Sequence, residues 1–267
     1  MNSENKERRE PALITGASSG IGAELARVFA ERGHDVFLVA RSVDVLVETC
    51  GELSQRYGVR AVPLPFDLTR REAPQELHRA LRDLDANIGI LVNDAGVAVH
   101  GAFGRTDLGA ELDLLQLNVT ALTHLTKLLL GAMQARQSGR ILNVASTAAY
   151  VPGPFMAVYY ASKAYVLSLS VALAEELADS GITVTALCPG PTRTAFEKKS
   201  GVGGTPLFRG GGVMDAETVA RAGYRGLMAG RRVVIPGWRN KLLAAASGLG
   251  PKRVGARLTR ALQEPEL

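Results

Sequence analysis

Short, nearly uninterrupted apolar runs alternate along the chain with longer stretches in which apolar residues return every three or four positions. The runs ALIT (12–15), DVFLVA (35–40), RAVPLPF (60–66), IGILVN (88–93), RILNVA (140–145), ITVTALC (182–188) and RVVIP (232–236) predict seven strands. Near-continuous hydrophobicity is what parallel strands need when both faces of their sheet are covered. Helical patterns occupy the intervals, at about 20–32, 43–57, 71–84, 107–136, 157–179 and 215–229. Strand and helix in alternation imply right-handed βαβ crossovers. The expected fold is therefore α/β, one doubly wound, mostly parallel seven-stranded sheet with helices on both faces.

Composition narrows this to one domain. The 267 residues are 46% hydrophobic but only 5% aromatic, enough for a sizeable single core. Residues 1–10 are charged and polar and are expected to be a disordered lead, without the apolar centre of a signal peptide. Residues 11–267 are then expected to form a single domain, with a mobile, glycine-rich lid at about 195–213 and a C-terminal extension at about 240–267. Cys50 and Cys188 are far apart and lack paired spacing, so neither a disulfide framework nor a metal centre is expected, and a cytoplasmic setting fits. No apolar run reaches the ~20 residues of an integral membrane segment. The net charge of +5 comes from basic residues dispersed along the chain without a nucleic-acid motif, and is read as solubility plus affinity for a small anion. The extension mixes apolar residues with Arg253, Arg257 and Arg260; a solvated terminal helix and one lying on a membrane or partner both remain open.

The first predicted strand runs directly into TGASSGIG (15–22) and then a helical pattern. A glycine-rich turn there brings unpaired amides and the positive end of a helix to one place, which is an anion site of the Rossmann type. Gly16, Ser18, Ser19, Gly20, Ile21 and Gly22 are the candidate phosphate cradle. The second strand ends in Ala40, Arg41 and Ser42, with no carboxylate before Asp44. A carboxylate at that point would suit a ribose hydroxyl, whereas the Arg41 fork suits a 2′-phosphate, so NADP(H) is expected over NAD(H), with Ser42 beside it. Asp67 and Leu68 end the third strand, where Asp67 either meets the adenine side or caps the next turn.

The stretch AVYYASKAYVLS (157–168) has no Gly or Pro to interrupt a helix. Side chains four apart share a helical face, so Tyr159 stands beside Lys163, while Tyr160 is paired with Ala164. An ammonium beside a phenol favours the phenolate, making Tyr159 and Lys163 a candidate acid/base unit. Tyr160 is left to packing or an interface, and Ser162 has no assigned role.

Together these motifs resemble the short-chain dehydrogenases/reductases. TGASSGIG, NDAG (93–96), LNVTA (117–121), NVAS (143–146), YYASK (159–163) and CPGPTRT (188–194) occur in that family's order and spacing, over roughly residues 11–236. The resemblance implies a catalytic tetrad of Asn118, Ser146, Tyr159 and Lys163. Ser146 would orient the substrate oxygen, Tyr159 exchange the proton, Lys163 hold the nicotinamide ribose and lower the tyrosine pKa, and Asn118 support a proton relay. It further implies cofactor contacts from Asn93, Ala95, Gly96, Tyr159, Lys163, Pro189, Gly190, Thr192 and Thr194, and a homodimer or homotetramer. Asp94 departs from the pattern, which usually has a second asparagine there. Ser146, Ala148, Tyr150, Phe155 and Tyr159, with Val151 and Met156, outline an apolar pocket for a ketone, ketoacyl or steroid-like substrate. The rival expectation is a catalytically silent NADP(H)-sensing protein of the same fold.

Overall fold

The computed structural model describes residues 9–203, 205–206, 212–247 and 252–263. Residues 1–8 of the expected lead, 204 and 207–211 of the expected lid, and 248–251 and 264–267 of the extension lie outside the described residues.

The central sheet consists of β1 (Arg9–Thr15), β2 (His34–Ala40), β3 (Ala61–Pro65), β4 (Ile90–Asn93), β5 (Gly139–Val144), β6 (Ile182–Leu187) and β9 (Val233–Val234). Their order is β3-β2-β1-β4-β5-β6-β9, and every pairing is parallel. A separate two-stranded ribbon joins β7 (Thr192–Arg193) to β8 (Met214–Asp215). The first strand begins at Arg9, inside the expected lead, because Arg9 already pairs with His34.

Strand pleating sends successive side chains to opposite faces, and the two faces build separate cores. On one face Ile14, Val36, Leu38, Ile90 and Val92 meet α1 (Gly20–Glu31), α2 (Val43–Tyr57) and α8 (Ala216–Met228) through Leu25, Phe29, Leu46, Val219 and Leu227. On the other, Leu13, Phe37, Val39, Leu91 and Ile141 meet α3 (Ala73–Asp83), α5 (Leu122–Arg136) and α6 (Ala157–Glu176) through Leu77, Leu81, Leu125, Met133 and Ala174. By length and composition α6 is long and apolar enough to cross a membrane, but it packs on β5 and β6 of the sheet.

The expected long helix at 107–136 is interrupted. α4 (Leu108–Leu115) passes into a π-helical turn, Gln116–Ala121, before α5 begins. A π turn inserts an extra residue into the helical ladder and rotates the turns after it, and such insertions recur at functional sites. The last described elements are α9 (Trp238–Ser247) and α10 (Lys252–Gln263), and a short α7 (Ala195–Lys199) precedes α8.

Winding proceeds outward from β1 through β2 to β3, then returns to β4 on β1's other side. The carboxyl ends of β1 and β4 therefore flank a topological switch point, where open α/β sheets leave a crevice.

Candidate active site

The crevice is a cavity of about 780 Å³ lined from the β1–α1 turn to the C-terminal helices. Gly16 and Gly20 take positive φ, 73° and 61°, as the tight turn requires. A Cβ on Gly16 would lie 2.9 Å from the Ala95 backbone nitrogen, and one on Gly22 only 2.5 Å from the Gly16 carbonyl oxygen. Close backbone approach thus explains why this turn is glycine at both positions. Ser19 precedes α1 in extended conformation and does not cap it with its side chain. The loop amides are left facing the cavity end formed by Gly16, Ser18, Ser19, Gly20 and Ile21. Arg41, exposed at the end of β2, lines the same end together with Asp67 and Leu68. The Asp67 carboxylate accepts from both the amide and the hydroxyl of Thr69, at 3.1 and 2.8 Å, so it makes its own turn as well as edging the cavity.

Ser146, Tyr159 and Lys163 meet deeper in the cavity, where β5 and α6 come together. The Ser146 hydroxyl and the Tyr159 phenol are neighbours there, close enough for the serine to favour the phenolate. The Ser146 hydroxyl also accepts from the Ala148 amide at 3.1 Å, which fixes its orientation. Lys163 donates to the Val144 carbonyl at 2.8 Å, and its ammonium lies 5.9 Å from the Tyr159 ring centre. Burial raises the Tyr159 phenol above its ordinary value, and the nearby Ser146 hydroxyl opposes that only in part. Burial dominates, so the phenol is held protonated, and the expected lowering by Lys163 does not come into play, since the lysine is engaged with a backbone carbonyl.

Lys163 is itself pushed down by burial, and the nearby Asp94 carboxylate pulls it back up. Asp94 is pushed up by burial, opposed by Lys163 and by the nearby Gly22 amide. The departure from the family's asparagine thus puts a carboxyl between the phosphate turn and the lysine. Sequence reasoning does not join Asp94 to Lys163, because the two lie in separate elements. Thr15 holds this corner, its hydroxyl accepting from the Asp94 and Ala95 amides, each at 3.0 Å.

Asn118 sits on the π turn and is buried. Its side chain accepts from the Val97 amide and donates to the Val97 carbonyl, both at 3.0 Å, and donates to the Ser162 hydroxyl at 3.1 Å. Ser162, unassigned from sequence, in turn donates to the Tyr159 carbonyl at 2.7 Å, linking Asn118 to the start of α6.

Of the remaining expected site residues, Ala95, Gly96, Ala148, Tyr150, Pro189, Gly190, Thr192 and Thr194 line the cavity. Gly22, Ser42, Asn93, Asn118 and Phe155 are not among its lining residues. Gly22 is packed behind the turn. Asn93 points into the sheet and donates to Thr126 at 3.1 Å and Asn143 at 2.9 Å, bracing β4 against β5 and α5. Ser42 precedes α2 at the surface. Phe155, with φ of 64°, turns its ring toward His100 and under the Arg260 guanidinium.

Sequence reasoning missed the cavity's far wall. Phe196 of α7 packs on Tyr159 at 5.6 Å between ring centres, and Leu243, Val254, Leu258, Thr259 and Gln263 close the cavity from α9 and α10. Gln263 donates to the Tyr160 hydroxyl at 3.0 Å and accepts from His100 through its backbone carbonyl at 2.8 Å. Thr259 and Gln263 are buried, so α10 is not the fully solvated terminal helix that sequence left open. Its alternating basic and apolar residues were the available signal, but they do not reveal what the apolar face covers. Among the described residues, no group of three or more His, Cys, Asp or Glu converges as a metal site.

Residues 10–202 match the family model for short chain dehydrogenases. A ketoacyl reductase from Nostoc is 35% identical over 178 residues, a match spanning 67% of this chain and 62% of that relative. Among solved structures, a short-chain dehydrogenase from Sphingobium yanoikuyae in complex with NADPH is 37% identical, with a TM-score of 0.81 over 90% of this chain and 95% of that one. The bulky-bulky ketone specific alcohol dehydrogenase from Comamonas testosteroni is 34% identical, with a TM-score of 0.77 over 91% and 94%. With this match, and with the phosphate turn and the Ser146–Tyr159–Lys163 cluster at one crevice, the chain belongs to the short-chain dehydrogenase family.

Proposed function

We propose that the protein is an NADP(H)-dependent oxidoreductase interconverting a carbonyl and a secondary alcohol that carry bulky apolar substituents. The observation carrying this reading is the convergence of the Tyr159 hydroxyl, the Ser146 hydroxyl and the Lys163 ammonium in a cavity whose other end is a glycine turn flanked by Arg41. NADPH fits this donor set: backbone amides at Gly16 to Ile21 for the pyrophosphate, and the Arg41 fork for the 2′-phosphate. When bound, it supplies the hydride that reduces the carbonyl carbon.

The chain's own residues manage the oxygen. Negative charge develops there during reduction, and fixed donors stabilise it without reorganising. Ser146 is held by the Ala148 amide and offers one such donor. Tyr159 is kept protonated by burial, the state needed to deliver a proton to the forming alkoxide. Lys163 is placed to hold the ribose and Asn118 to brace the loop after β4; both are positioning roles in this reading. Val151, Met156, Leu243 and Leu258 supply the apolar wall that favours a ketone, ketoacyl or steroid-like substrate over a sugar. Exposed Leu108, Leu112 and Leu115 on α4, with Tyr165 and Val171 on α6, suit a homodimer or homotetramer.

The test is Tyr159→Phe. The variant is expected to keep NADPH affinity within about twofold while turnover of a ketone panel falls by roughly 10²–10⁴. Unchanged turnover would sink the assigned acid. Tight NADPH binding by the parent protein with no turnover on ketones, ketoacyl thioesters or steroids would instead favour a silent nucleotide sensor.

A further inference from the structure

The basic residues are dispersed by position, but the net charge is not. Residues 231–267 hold eight of the 31 Lys and Arg and two of the 26 Asp and Glu, a net +6, which leaves −1 for residues 1–230. Between Glu217 and Glu264 there is no acidic residue at all. Arg232 pairs with Glu175 at 2.7 Å, while α9 and α10 carry Arg239, Lys241, Lys252, Arg253, Arg257 and Arg260, of which Arg239 and Arg260 already contact the Trp238 and Phe155 rings.

The same two helices expose large apolar side chains. Trp238 is 67% exposed, Leu242 60%, Leu243 67%, Val254 53%, Leu258 65% and Leu262 42%. Val254, Leu258 and Leu262 recur every four residues and form one stripe of α10; Arg253, Arg257 and Arg260 form the neighbouring stripe. The Arg239 guanidinium lies 5.4 Å from the Trp238 ring centre, so a cation and an indole share the start of α9.

We propose that the face formed by α9 and α10 docks the protein on an anionic membrane surface. Apolar side chains including a tryptophan, bordered by Lys and Arg, with one of the two short helices amphipathic, are the chemistry of an interfacial anchor. Each cation near an anionic leaflet adds attraction that salt weakens. Charge complementarity argues against a second copy of this chain as occupant, since two faces of this sign would repel. An acidic protein would satisfy the cations, but the water-exposed Trp238, Leu242 and Leu243 favour an apolar phase below the charged layer.

The cavity gives the arrangement a use. Leu243, Val254, Leu258 and Leu262 both line the cavity and stand exposed on this face, so its mouth opens where the membrane would lie. An apolar carbonyl compound would then pass from lipid to the site without crossing water. That consequence rests on the proposed function; the docking itself does not.

The experiment is co-sedimentation of the full chain with vesicles, either equimolar phosphatidylglycerol and phosphatidylcholine or phosphatidylcholine alone. Binding to the anionic vesicles is expected to exceed that to the neutral ones by at least about tenfold, and to fall at about 0.5 M salt. Two variants outside the cavity lining separate the terms: K241E/R253E/R257E for charge and W238A/L242S for apolar insertion. Each should weaken binding to anionic vesicles by about tenfold or more, with the circular dichroism spectrum unchanged. NADPH affinity, read separately by fluorescence, should stay within about twofold, so failure of the cofactor reading leaves the vesicle result standing. Equal partition onto both vesicles, no partition, or variants that bind like the parent would overturn the proposal. So would a self-association lost in W238A/L242S, or saturable binding of an acidic carrier protein, if either occurs without vesicle binding.

Discussion

Arg41 stands exposed beside the phosphate turn, at the point where the chain leaves β2 without a carboxylate. A guanidinium there gains a charge-assisted pair with a 2′-phosphate and nothing comparable with a 2′-hydroxyl. Arg41→Ala should therefore weaken NADPH far more than NADH. A hydrogen bond to a charged group contributes about 1.5–3 kcal/mol, or roughly tenfold to a hundredfold in the ratio of dissociation constants. Fluorescence titration with both cofactors measures that ratio, and an unaltered ratio would remove Arg41 from the site. That Arg41, Tyr159 and Lys163 lie along one cavity could be anticipated because each placement depends on local order: the end of a strand, or one helical turn. Asn118 was readable as a residue but not as a geometry, since the π turn that aims it at Val97 is held by contacts across elements. Phe155 was misplaced for a related reason, because its left-handed backbone turns the ring out of the cavity and toward α10.

At the scale of elements, β2 is tied to α8 through His34, buried between Phe29 and Tyr224. Its Nδ1 lies 2.8 Å from the Glu10 carbonyl, which only accepts, so Nδ1 carries the proton. The Nε2 then accepts from the Tyr224 hydroxyl at 3.1 Å. Burial lowers the His34 pKa, and the Glu10 hydrogen bond offsets this only in part. Below the ordinary histidine value of about 6.5 the unfolded chain takes up a proton that the folded chain resists, so stability falls as pH falls. His34→Leu should be less stable than the parent near pH 7, having lost both hydrogen bonds, yet show a shallower decline between about pH 6.5 and 5. Some slope should persist, because burial also lowers the pKa of His78. Urea melts across that range report it, and parallel curves for variant and parent would refute the assignment. Strand positions and most helix positions were legible here because both faces of the sheet are covered, which leaves apolar runs in the sequence. The His34–Tyr224 tie was not, since its partners are 190 residues apart.

For the molecule as a whole, the crevice at the switch point follows from the winding of the sheet, but its outer wall follows from how the last helix returns. α10 is pinned at one end by Gln263, which holds Tyr160 and His100, and packs near Val151 at the other, where a Cβ on Gly255 would lie 3.3 Å from that side chain. Tyr160, left to packing by the helical spacing, is thus the post to which α10 is fastened, one residue from the proposed acid. Gln263→Ala removes the donor to a buried phenol, and an unsatisfied buried hydroxyl costs about 1–3 kcal/mol. Because α10 walls the substrate end and not the phosphate end, its loosening should act on the two ligands differently. NADPH affinity should change by no more than about twofold, whereas KM for a bulky ketone should rise by roughly tenfold, the free energy of the lost pin being drawn from closure of that wall. Parallel measurement of NADPH binding and ketone kinetics on the variant decides it. Equal losses for both ligands would mean that Gln263 supports the whole fold, and no loss for the ketone would mean that substrate does not reach the wall formed by α10.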